Sequence, residues 1–386
     1  MDKQRKQSLL ENNAVQTLIA SILCIIAGLI IGYLVLLIIN PAGASEAILA
    51  VTENFFTRSN PTVQAKYFGQ TLVKTAPLLM CSLSILFAYK VGMFNIGAAG
   101  QYVVGAGASL YAALAWGMPW WLCLILAMVA GAIWGCLSGI LKAYLNVNEV
   151  ISCIMLNWIG LYLVNMLLST VKDPASPYTL KINTVNPSAK LPSLGLEKLF
   201  SNDKYVTIAI PLAIIIAVII WLIINRTKLG YELRATGMNK NAAKYCGMRE
   251  KYNTILAMSI SGALAGLGAA MLYLTTFEEW SCTQSSVPGM GFNGIAAAFL
   301  GGLSPIGSIF SSYFIQHITA GGAYVDKTMY CSQISDFISS VIIYLCGFVF
   351  FFKTYLNRKI FANAEKRAAL AAAGAQKDAR GTKEGM

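Results

Sequence analysis

The chain has 386 residues, of which 56% are hydrophobic and 12% charged, with a formal net charge of +12. A soluble domain usually carries about twice that share of charge, so lipid is the expected solvent. No soluble portion is left to hold a basic recognition face, which argues against nucleic-acid binding despite the positive charge.

The N-terminal tail, 1–16, carries Lys3, Arg5 and Lys6. The apolar run 17–39 that follows is too long for the core of a signal peptide and lacks a small-x-small cleavage site, so it is expected to stay as an anchor helix. Further apolar runs at 70–89, 94–116, 119–141, 150–171, 205–225, 254–274, 288–303, 306–321 and 333–353 bring the expected count to ten helices, or eight if the two short runs at 288–321 do not cross. Short, glycine-interrupted runs can be half-helices, which are stable only where they pack in protein or line a cavity. Residues 17–353 thus read as one all-α membrane domain, with a tail at 354–386 that holds no catalytic pattern.

Charge placement orients the bundle. With the N-terminus inside, the internal segments collect Lys90, Lys142, the basic residues of the 226–253 loop and those of the C-terminal tail, while Glu46, Glu53, Asp173, Glu197, Asp203, Glu278, Glu279 and Asp326 fall outside. Both termini are therefore expected in the cytoplasm. The long external connections are 40–69 and 172–204, the second rich in proline and mostly non-helical. Each is a candidate docking surface or a simple cap on the bundle.

Small residues recur every fourth position at Gly28/Gly32, Gly131/Gly135/Gly139 and Gly262/Gly266, the spacing of closely packed membrane helices. Polar side chains at membrane depth, Asn95, Gln101, Asn148, Glu149, Asn157, Asn165 and Asn293, either bind helices together or face a watery path. Span centres carry almost no charge, which disfavours a carboxylate-based ion-coupled carrier. In the loop 226–253, Asn239 is placed to cap a short helix and Gly247 to end it in the left-handed conformation, making a basic knob suited to a partner.

Some chemistry is missing. There is no G-x-x-x-x-G-K-[ST], no G-x-S-x-G and no H-E-x-x-H, and the single histidine is His317. Gly289–Gly294 matches G-x-G-x-x-G, but no strand precedes it, so the glycines read as helix-packing residues. Of the nine cysteines, Cys24, Cys123, Cys136, Cys153 and Cys346 are among those that lie in apolar runs. Cys282 and Cys331 fall in expected external loops, where they could pair. No metal or cofactor site is expected, and no convergent acid, base or nucleophile set points to an enzyme.

Several segments together resemble one family. Phe94-Asn-Ile-Gly-Ala-Ala-Gly-Gln101, Asn148-Glu-Val-Ile-Ser152 with Met155-Leu-Asn157, Leu229 to Asn239 with Ala242, Ala243 and Gly247, Ser261 to Gly266, and Gly291-Phe-Asn-Gly-Ile-Ala296 through Pro305 occur in order. They are similar to the permease subunits of bacterial nucleoside and simple-sugar ABC importers. The resemblance implies a type II importer bundle of about ten helices with an inverted pseudo-two-fold repeat. It implies a translocation path touching Phe94, Asn95, Gln101, Asn148, Asn157, Phe292 and Asn293, and an ATPase-coupling segment with Gly230, Arg234, Gly237, Asn239, Ala242, Ala243 and Gly247. The implied partners are a cytoplasmic ABC ATPase that uses the ATP, a second permease subunit and an extracellular solute-binding lipoprotein. Nucleosides are the expected solute, with ribose or another simple sugar as the alternative, and an ion-coupled secondary transporter is the rival class. Ala99 departs from the acidic residue usual in the first motif.

Overall fold

The computed structural model describes residues 13–326, 328–330 and a scattered set of positions between 337 and 358. Among these the protein is helical, and no strand forms. Two isolated bridges, Lys172 to Thr179 and Tyr178 to Ser281, tie the 172–180 segment into a compact loop.

Six helices are long and apolar enough to cross a bilayer: Ile19–Ile39, Pro61–Tyr89, Trp120–Leu145, Glu149–Val171, Ala209–Arg226 and Glu250–Tyr273. In chain order the elements are α1 (Asn13–Ile39), α2 (Ala44–Glu53), α3 (Pro61–Tyr89), α4 (Ala98–Leu114), α5 (Trp120–Leu145) and α6 (Glu149–Leu168). Then follow the one-turn α7 (Ile182–Val185), α8 (Ala209–Arg226), α9 (Lys228–Met238), α10 (Lys240–Tyr245), α11 (Glu250–Tyr273), α12 (Met290–Leu300) and α13 (Pro305–Gly321). The expected tenth span, 333–353, is described only at scattered positions, so its helix is not followed end to end.

The 40–69 connection is more ordered than its composition suggests. It holds α2, whose Ala44, Ala47, Ala50 and Val51 face inward, and the first turns of α3. Asn60 caps α3 by accepting from the Thr62 N–H, and Pro61 fits the first helical position, where no N–H is needed. By contrast, 172–204 is mostly irregular.

Helices α3 and α11 form the centre, buried along most of their length. Around them α1, α5, α6 and α8 turn outward faces of Ile, Leu, Val and Met to their surroundings, including Ile30, Ile133, Ile159 and Ile215. Such continuous apolar faces are stable only against hydrocarbon or another apolar partner.

Glycines set the tightest packing. Gly131 and Gly135 of α5 lie directly on the backbone of α11 at Gly262 and Met258, and Gly139 meets Ile255, so the two helices run antiparallel at backbone contact. Gly105 of α4 meets Gly266 from another side. Helices α4 and α6 run parallel, with Gly97 on Cys153, Gly100 on Asn157 and Gly107 on Val164.

Helix α12 is half-length. Its 11 residues span roughly 16 Å, about half the hydrocarbon thickness. It runs alongside α3, with Gly294 on Cys81 and Phe299 on Tyr89 (5.7 Å between rings). It therefore starts near the middle of the 70–89 stretch and is followed by the turn Gly301–Ser304, where α13 begins at Pro305.

Candidate functional site

The turn between α3 and α4, residues 90–97, folds back into the bundle. Asn95 is fully buried, and its amide forms a reciprocal pair with Gln101: Asn95 Nδ2 donates to Gln101 Oε1 (2.8 Å) and Gln101 Nε2 donates to Asn95 Oδ1 (3.2 Å). Asn95 Nδ2 also donates to Ser261 Oγ (2.6 Å) and Ser84 Oγ (3.3 Å). The Ser261 hydroxyl in turn donates to the Ser84 carbonyl (2.7 Å). One cluster thus joins α3, the turn, α4 and α11. Burying so many polar groups is tolerable because each finds a partner.

Asn157 of α6 extends this polar seam. Its Oδ1 accepts from the Gly100 N–H (2.8 Å) and its Nδ2 donates to the Ile96 carbonyl (3.1 Å). The Gly100 N–H lies in the first turn of α4, where N–H groups lack helical partners, so a side chain of another helix supplies the acceptor. In this geometry Asn95, Gln101 and Asn157 are enclosed within the bundle.

The other residues of the first motif and its neighbours lie differently. Asn148 is exposed and caps α6, accepting from the Val150 (2.9 Å) and Ile151 (3.4 Å) N–H groups. Glu149 pairs with Lys142 of α5 at 2.7 Å. Phe94 and Asn293 are half-buried, and Phe292 is exposed. Phe292 and Asn293 sit in the first turn of α12, whose N-terminus has no side-chain cap. Before it, Ser285, Ser286 and Gly289 are exposed, and the Gln284 carbonyl accepts from Asn165 Nδ2 (2.8 Å). Asn165 Oδ1 also accepts from the Trp280 indole (3.0 Å), which pins the 280–284 segment against α6.

Ala99 has a steric explanation. Gly291 of α12 is packed so tightly on it that a Cβ at Gly291 would stand 2.8 Å from the Ala99 Cβ. Ala99 is itself fully buried, so the site has no room for a carboxylate.

On the expected cytoplasmic side, the 226–253 segment folds as two short helices. Thr227 caps α9 through Gly230 N–H (3.2 Å), and Asn239 caps α10 through Ala242 N–H (3.1 Å). Gly247, at φ +79°, follows α10 in the left-handed region that a side chain rarely adopts. Ala243 is buried, whereas Met238, Lys240, Ala242, Lys244 and Tyr245 are exposed and form a basic, partly apolar knob. Arg234 is exposed on α9, and its charge, after burial, lowers the pKa of Lys90. Gly230 lies against the Ile223 and Ile224 carbonyls at the bend from α8 to α9. Gly237 lies against the backbone of Lys90 and Gly92, and Asn253 of α11 donates to Thr236 (3.0 Å). The knob is therefore fixed to the bundle on its inner side and free on its outer side.

Sequence reading found the amides but not Ser84 as their partner, nor Gly92 as the seat for Gly237. A serine at membrane depth is a weak signal, and neither glycine lies in a regular repeat. Cys282 is a free thiol, and Cys331 lies outside the described residues. Among the described residues, no group of three His, Cys, Asp or Glu could hold a metal ion.

Residues 67–347 match the family model described as branched-chain amino acid transport system / permease component. The chain belongs to this permease family. The permease is 34% identical over 357 residues to the guanosine ABC transporter permease protein NupP of Bacillus subtilis, covering 91% of this chain and 98% of that protein. It is 30% identical to the nucleoside ABC transporter permease protein NupB of Lactococcus lactis, covering 90% and 95%. It is 28% identical to the glucose ABC transporter permease protein TsgB13 of Haloferax volcanii, covering 75% and 78%. No solved structure gives a significant match. The family and the six apolar helices make the permease a multi-pass protein of the cytoplasmic membrane.

Proposed function

We propose that this permease is the channel-forming subunit of an ATP-driven importer that carries nucleosides into the cell. The observation that carries the reading is near end-to-end similarity to a guanosine permease, including both flanks of the matched family region. The glucose permease is less similar and covers less of the chain, so a sugar substrate is the second reading.

The assembly follows from what one chain lacks. The sequence carries no P-loop, so ATP is bound by a partner ATPase, docked on the α9–α10 knob. A second permease subunit closes the path, and an external solute-binding lipoprotein supplies the solute. Ten spans with both termini inside agree with the charge placement, and their arrangement as an inverted repeat is what the family resemblance implies. The short α12, the exposed Ser285, Ser286 and Gly289 before it and the first-turn pair Phe292 and Asn293 suit a path for an uncharged polar solute, because irregular backbone at membrane depth needs protein or water around it. Asn95, Gln101 and Asn157 shape that path from behind by fixing α4 and α6, and Asn148 sets the start of α6 by capping it. The difference in free energy between outward and inward states comes from ATP and the binding protein.

The test is uptake in proteoliposomes containing the whole transporter. Labelled guanosine and uridine should enter with ATP inside and the loaded binding protein outside, and should be indifferent to ionophores. Uptake of glucose or ribose without nucleoside uptake would replace the substrate reading. Collapse of uptake with the ion gradient would replace the importer reading.

A further inference from the structure

We infer that the 90–97 turn, with Asn95 as its positioning residue, transmits the movement of the α9–α10 knob to the middle of the membrane. The inference rests on the proposal that the knob docks an ATPase.

Contacts run without a break from one end of this route to the other. Gly237, at the end of α9, lies on the Lys90 carbonyl and the Gly92 N–H, close enough that a Cβ would stand 3.0 Å from that nitrogen. Gly92 is at φ +75°, and a Cβ there would meet the Gly237 carbonyl at 3.3 Å. Backbone thus rests on backbone, and a shift of α9 has no flexible side chain to absorb it. Three residues on, Asn95 enters the buried cluster. The next two residues touch α6, with the Ile96 carbonyl bonded to Asn157 and Gly97 on Cys153. Ala99 then carries Gly291 at the start of α12. The turn therefore ends against both elements that border the proposed path.

The hydrogen bonds at Asn95 suit an element with two arrangements. Its Nδ2 has two N–H groups but three acceptors within reach: Gln101 Oε1, Ser261 Oγ and Ser84 Oγ. One N–H serves Gln101, and the other is shared between the two serines. These stand on different helices, α3 and α11, and are bonded to each other at 2.9 Å. Exchange from one serine to the other keeps every buried amide group paired, so the turn can shift without an orphaned polar group. Helix α11 is the fixed reference, because α5 grips it at backbone contact over several turns.

The experiment measures, in proteoliposomes of the complete transporter, the ratio of guanosine imported to ATP hydrolysed. Asn95→Ala should assemble, lose stimulation of ATP hydrolysis by loaded binding protein and import at least tenfold less guanosine per ATP hydrolysed. Gly237→Ala should do the same. The double variant should be no worse than the poorer single variant, because both break one route. If Asn95→Ala does not assemble, Ser261→Ala, which removes one arm of the cluster, must show the same fall in ratio. An unchanged ratio in the assembled variant, or additive losses in the double variant, overturns the inference. Wild type without nucleoside uptake sinks the substrate proposal instead; stimulation by its own loaded binding protein then takes the place of the ratio in every variant.

Discussion

Gly262 of α11 is the position where one methyl group should cost most. A Cβ there would fall well under 3.0 Å from the Gly131 carbonyl, a backbone atom that cannot rotate away. To restore ordinary contact, α5 and α11 must part by about 1 Å, a gap that forfeits a quarter to a half of each van der Waals well. The parted face includes Gly131, Gly135 and Gly139 on one helix and Ile255, Met258, Gly262 and Gly266 on the other. With roughly 30 atom pairs at about 0.15 kcal/mol each, the loss is about 1–2 kcal/mol before strain. Overpacking strain raises this to about 2–3 kcal/mol for Gly262→Ala and more for Gly262→Val. Gly289→Ala is the matched control: its Cβ would have nothing within 4 Å, and it changes the unfolded chain in the same way. Unfolding in detergent micelles should separate the two, with Gly262→Ala clearly destabilised and Gly289→Ala close to wild type. Equal stability of Gly262→Ala and wild type would refute the claim that α5 and α11 meet at backbone contact.

Asn157→Leu should destabilise by roughly 2–4 kcal/mol, since it orphans the Gly100 N–H and the Ile96 carbonyl together; thermal unfolding measures it. Ala99→Glu should fail to give a monodisperse protein on size exclusion, because overpacking against Gly291 adds about 3 kcal/mol to the cost of burying a carboxylate. Asn239→Ala should loosen α10 by about 1 kcal/mol and reduce retention of the ATPase on co-purification, with Asn239→Asp restoring both because aspartate also caps. Phe292→Ala should alter the KM or Vmax of uptake without lowering unfolding temperature, since the Phe292 side chain is exposed.

The knob shows what was legible in advance. Asn239, Gly247 and the intervening basic residues were enough to place a capped helix over 240–246, and α10 forms at Lys240–Tyr245. Capping is local: the side-chain oxygen and the N–H it serves are three residues apart, so the spacing contains the answer. The small-residue repeats at Gly131, Gly135, Gly262 and Gly266 likewise marked close packing, but not which helix met which. The amides were visible as polar groups at membrane depth, yet their geometry was not. Asn95 meets a serine 166 positions away, and Asn157 serves a backbone group 57 positions away. Pairing of that kind depends on how helices are arranged, which local pattern does not encode.

By itself, the amino-acid sequence determined the apolar solvent, the helical class, the capped knob and the family motifs. Each rests on composition or on residues close together in the chain. Only the tertiary structure decided that α2 orders the 40–69 connection, that α12 begins midway along α3, that Gly291 leaves Ala99 no room for a carboxylate, and that Asn95 is enclosed between α3 and α11. Those features arise where backbones from distant segments come within contact distance, and close packing then dictates which side chains fit.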